Sequence, residues 1–107
     1  MATIGGTFLI TPTPGATVTV TIDPTHRRNL ATWTSGEAET VTVSGTPVDG
    51  QELFLVITND ATLGRIITMG TGLAGLGIIT NIVSKKTVVQ FIAVGGIFYE
   101  VSRSVGV

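Results

Sequence analysis

Residues 17–22, Thr-Val-Thr-Val-Thr-Ile, alternate without a break between polar and apolar β-branched side chains. In an extended strand this places Val18, Val20 and Ile22 on one face and the threonines on the other. In a helix the same side chains would crowd the preceding turn and spread the apolar ones around the axis. The bias runs through the whole chain. Thr, Val and Ile account for 43 of the 107 residues, and 14 Gly and 4 Pro interrupt them at short intervals. The chain therefore reads as all-β, with many short strands and turns between them.

Strands are expected over residues 17–22, 30–34, 40–43, 53–57, 65–69, 78–83, 87–94 and 97–101, with a short one opening at Ile4-Gly5-Gly6-Thr7 and running through Ile10. About eight or nine antiparallel strands at this spacing predict a single-domain β-sandwich of jelly-roll type. The run Leu53-Phe54-Leu55-Val56-Ile57 has no alternation and predicts a strand buried on both faces. Gly95-Gly96 between two β-rich runs predicts a tight hairpin, because both central positions of a type I′ turn need positive φ. Residues 70–77 read as a glycine-rich loop. Thr11-Pro12-Thr13-Pro14-Gly15 breaks the first strand. Residues 1–15 are thus expected as an extended arm that reaches a neighbour through Ile4, Phe8, Pro12 and Pro14, with residues 16–107 as the sandwich. The alternative is a short edge strand on the chain's own sheet.

Charged residues make up 12% of the chain and the net charge is −1. Typical soluble domains carry about 25%. A surface this poor in charge favours association. No apolar stretch is long enough for a membrane helix, and residues 1–11 lack the positive start of a secretory signal. The charge balance offers no footprint for nucleic acid. The expectation is a surface covered by other subunits. With no cysteine, disulfides and thiolate metal sites are excluded, and a reducing compartment of synthesis fits.

Several patterns that could carry chemistry fail on context. Gly70-Thr71-Gly72-Leu73-Ala74-Gly75 matches G-x-G-x-x-G. A dinucleotide site needs a helix to follow, and Ile78-Ile79-Thr80-Asn81-Ile82-Val83 makes a poor one. The expected role is close approach of strands or subunits. His26 is the only histidine and has no serine and carboxylate at a recognisable spacing, so neither a triad nor a metal site is expected. Asp49-Gly50 and Asn59-Asp60 read as turns, not as a calcium loop. His26, Arg27 and Arg28 form the densest cationic spot; they are read either as a solvated loop or as a grip on acidic groups of a protein partner. No catalytic residue, cofactor or metal is expected.

Residues 17–103 resemble a β-rich module of tailed-bacteriophage virion proteins. The resemblance lies in the order of a Thr/Val strand ending at Asp23, Asn29, Pro47-Val48-Asp49-Gly50-Gln51, the strand 53–58 with Asn59-Asp60, Gly64-Arg65, and the closing Phe98-Tyr99-Glu100-Val101-Ser102-Arg103. Where that module carries Asp-Gly and a Trp in its last hairpin, this chain has Gly95-Gly96 and Phe98. The resemblance implies a virion protein. Since no shaft or attachment domain accompanies the module, it implies a capsid decoration (cement) protein, made in the host cytoplasm and placed on the capsid surface. Such a protein would be a homotrimer bound to the major capsid protein, with no nucleic-acid or membrane partner. The alternative is a receptor-binding module of a tail fibre or spike.

Overall fold

A computed structural model describes residues 6–107 of the chain. These residues form ten strands and no helix. In chain order they are β1 Thr7–Ile10, β2 Thr17–Thr21, β3 Arg28–Ser35, β4 Glu39–Ser44, β5 Glu52–Asn59, β6 Ile66–Met69, β7 Leu73–Ala74, β8 Ile79–Thr80, β9 Lys86–Val94 and β10 Ile97–Val105. Two sheets result, one of six strands in the order β1-β3-β5-β9-β10-β7 and one of four in the order β2-β4-β6-β8.

The chain changes sheet at each step from β1 to β6, so β1, β3 and β5 stack as a parallel ladder, as do β2, β4 and β6. The result is a short β-solenoid of three coils and not the antiparallel jelly roll expected from strand spacing. Side-chain alternation reports which face a strand buries, not the direction of its neighbour. Direction is decided by the connections, and the short links at residues 36–38 and 60–65 cross between sheets instead of folding back within one. Antiparallel pairing enters only at the C-terminal side. There β9 lies against β5 with Leu53 opposite Phe91, β10 returns along β9, and β8 pairs with β6. The β9–β10 turn has φ of +61° at Gly95 and +84° at Gly96, with Val94 opposite Ile97, as the Gly-Gly pair predicts.

Part of the expected arm belongs to the body. Residues 7–10 form β1, an edge strand in register with β3, with Ile10 buried and Phe8 packed against the core. Ile4 lies outside the described residues.

The core fills the space between the sheets. Val18, Val20, Val41 and Ile67 meet Leu53, Leu55, Ile57, Val89, Phe91 and Phe98 with no exposed surface on any of them. β5 departs from its expected burial: Leu53, Leu55 and Ile57 are enclosed, whereas Phe54 and Val56 point outward and are half-buried. Residues 70–77, expected as loop throughout, contain β7, and residues 78–83 are extended only at β8. The G-x-G-x-x-G run is a close approach between strands. A Cβ on Gly70 would lie 2.8 Å from the Val41 carbonyl oxygen and 2.9 Å from the methyls of Thr40 and Thr42.

Candidate interaction sites

Solenoid turns leave backbone groups that no ladder satisfies, so side chains must bind them. Three buried or half-buried polar clusters do so. At the turn before β3, the Asp23 amide donates to Asn29 Oδ1, and the Asp23 carbonyl accepts from Asn29 Nδ2 at 3.1 Å and Gln51 Nε2 at 2.6 Å. Gln51 also donates to the His26 carbonyl. At the turn after β5, Asn59 accepts from the Arg65 amide and donates to the Leu63 carbonyl, while Arg65 Nη2 meets Asp60 Oδ2 at 2.7 Å. On β10, Arg103 binds Glu100 through two nitrogens, and Glu100 Oε1 accepts from the Leu76 amide at 3.0 Å. The same guanidinium donates to the carbonyls of Gly77 and Ile78.

The carboxyls in these clusters are shifted for identifiable reasons. The Thr25 hydroxyl and amide hold Asp23 below the ordinary carboxylate range. Arg65 does the same for Asp60. Burial pushes Glu100 up, but the Arg103 guanidinium and the Leu76 amide together outweigh it and leave the carboxyl lowered.

The Glu100–Arg103 pair fixes residues 75–78, and that loop carries two of the most exposed apolar side chains in the molecule, Leu76 at 74% and Ile78 at 58% of full exposure. Both polar ends of the pair thus hold backbone on which apolar side chains face solvent. In the sequence the glycine run reads as a close approach of strands or subunits, with nothing to single out Leu76 or Ile78; the signal is Glu100 and Arg103 at i and i+3, too far along the chain to be linked to Leu76.

The residues expected to contact a partner fall in different places. Phe8 is half-buried and its ring lies 5.2 Å from the His26 ring. Pro12 is buried and Pro14 exposed. His26 and Arg27 line a shallow recess of about 180 Å³ with Pro24, Val48, Asp49 and Gln51. Arg27 makes no ion pair among the described residues. Arg28 is paired with Glu52 at 3.2 Å and lies 5.1 Å over the Phe54 ring. Among the described residues no three His, Asp or Glu side chains converge on one point.

The outer faces of the two sheets differ. Over the four-stranded sheet, ladder partners repeat as Thr17–Thr40–Thr68, Thr19–Thr42 and Thr21–Ser44. Over the six-stranded sheet the outward positions include Leu9, Leu30, Phe54, Val56, Ile92 and Tyr99, with Tyr99 directly opposite Ile92. In comparisons with known proteins, the chain matches no family model, no curated sequence and no solved structure.

Proposed function

We propose that this chain is a binding protein of a tailed-bacteriophage virion, a capsid decoration protein that clamps the assembled major capsid protein lattice and performs no chemistry. The observation that carries the binding role is the loop at residues 75–78, where the Glu100–Arg103 pair binds the Leu76 amide and the Gly77 and Ile78 carbonyls while the Leu76 and Ile78 side chains stand exposed. Apolar side chains on backbone already tied down leave less of the chain to be ordered on docking, which suits an interface anchor. The virion assignment is supported by the ordered motifs from Asp23 to Arg103 and by the low charge fraction. In this reading the chain acts as a self-associated unit, a homotrimer, on the capsid surface. A ligand that binds only the assembled lattice stabilises it by about 2.7 kcal/mol per site at a hundredfold excess over Kd. Repetition over a shell and linkage within an oligomer multiply that effect.

The test uses virions lacking the protein. They should assemble but rupture at lower temperature, and added wild-type chain should restore resistance where the Leu76→Ser chain does not. Stripped particles that are equally robust but fail to adsorb to cells would replace this reading with the tail-fibre or spike alternative.

A further inference from the structure

We infer that the outer face of the six-stranded sheet is covered by a second copy of this chain. The two sheets alternate along the same coils, so their outer faces serve as controls for each other. Where the four-stranded sheet meets solvent, the outward positions of β2 and β4 are Thr17, Thr19, Thr21, Thr40, Thr42 and Ser44. This is the usual half-buried strand pattern, with hydroxyls outward. In the six-stranded sheet the outward positions of β1, β3 and β5 bring in Leu9, Leu30, Phe54 and Val56 beside Thr7, Thr32, Thr34, Thr58 and the Arg28–Glu52 pair. The apolar character continues on β9 and β10 through Val88, Ile92, Val94 and Tyr99. Leu9 is 60% and Tyr99 47% exposed. The chain exposes 5386 Å² in all, near the roughly 5,700 Å² expected of a folded monomer of this mass. The anomaly is therefore where apolar surface lies, not how much surface there is.

Size and charge both fit a second copy. The six strands hold 40 residues, each covering about 4.8 Å across the strands by 3.3 Å along them. That is on the order of 600 Å² in projection and more with side-chain relief, against about 800 Å² per partner in a stable complex. On this face Arg28 is already neutralised by Glu52, and Lys86 stands at the margin with its ammonium bound to the Thr58 hydroxyl. A charged partner would find no unpaired counter-charge in the middle of the face. The same face on the other copies of the trimer, gathered around one axis, meets it without like-charge conflict. The assignment rests on the self-association proposed above and not on placement on a virion, so the two can fail separately.

The test compares two matched pairs of substitutions in the full chain. Ile92→Lys with Tyr99→Glu places opposite charges on directly opposed residues, which preserves cross-strand attraction while charging the apolar face. Thr19→Lys with Thr42→Glu does the same on the threonine face. Sedimentation at micromolar concentration should give an oligomer for wild type and for the threonine-face pair. The apolar-face pair should sediment as an 11.1 kDa monomer with unchanged circular dichroism. Tyr99 is the only tyrosine, so its nitration in wild type should slow as concentration rises through the association range; this readout stands even if the apolar-face pair fails to fold. A wild type that stays monomeric, an apolar-face pair that still associates, dissociation by the threonine-face pair alone, or nitration independent of concentration would each overturn the assignment. Failure of virions to bind the chain would overturn only the capsid reading.

Discussion

At the residue scale, the polar side chains most distinctive in the sequence hold turns together. Gln51, Asn59, Asp60, Arg65, Glu100 and Arg103 all bind backbone or one another across turns of the solenoid. Their order along the chain therefore encodes where coils turn. Arg103→Ala tests the cluster on β10. It would leave the Glu100 carboxylate, whose side chain has no exposed surface, without its cation and would free the carbonyls of residues 77 and 78. Breaking such a pair from one side costs about 3 kcal/mol. The urea midpoint should fall accordingly, and Glu100→Gln together with Arg103→Met should recover much of the loss, because no uncompensated charge remains. Gly70→Ala is a steric test. Its new methyl meets the Val41 carbonyl and two threonine methyls below normal contact, so a destabilisation of roughly 1–3 kcal/mol is expected from overpacking. A midpoint equal to wild type would mean that the coils separate more easily than their packing implies.

At the element scale, strand positions and inward faces were legible, and pairing direction was not. The alternation at residues 17–22 places Val18 and Val20 in the core, and the Gly-Gly pair forms its hairpin. Nothing in a Thr/Val alternation distinguishes a parallel from an antiparallel neighbour, because both expose the same period of two. The run 53–57 misled for a related reason: Phe54 and Val56 are apolar as a buried strand requires, yet they belong to a face that this fold leaves open. The geometry of the loop at residues 75–78 was not legible, since it depends on Glu100 and Arg103 arriving from β10. β1 supplies the prediction at this scale. Its four residues pair in register with β3, and Ile10 is buried with Phe8 against the core. Deleting residues 6–10 should lower stability by roughly 2–4 kcal/mol through lost apolar burial. A deletion that left the denaturant midpoint unchanged would show that the segment serves contacts outside the molecule instead.

At the scale of the whole molecule, few charges are present, yet the three shifted carboxyls all hold turns, Asp23 and Asp60 from within them and Glu100 from β10 across to residue 76. That arrangement makes stability depend on pH in a definite direction. Asp23, Asp60 and Glu100 all have folded pKa values below their ordinary values of 3.8, 3.8 and 4.5. Each therefore binds protons more weakly in the folded chain than in the unfolded one. Their contribution is complete at pH values above the unfolded pKa. It declines as pH falls below that range and is lost once pH drops through the folded values. Urea midpoints should accordingly be flat from neutrality down to about pH 5 as far as these groups are concerned, then fall steadily on further acidification. Glu100→Gln should flatten part of that acid slope while lowering the neutral plateau, because the neutral amide keeps the shape but gives up the charged partner of Arg103. Asp60→Asn should flatten a separate part, since its partner Arg65 lies in a different turn. Midpoints that rise as pH falls would contradict the direction of all three shifts. An acid slope left unchanged by both substitutions would place the acid sensitivity elsewhere in the molecule.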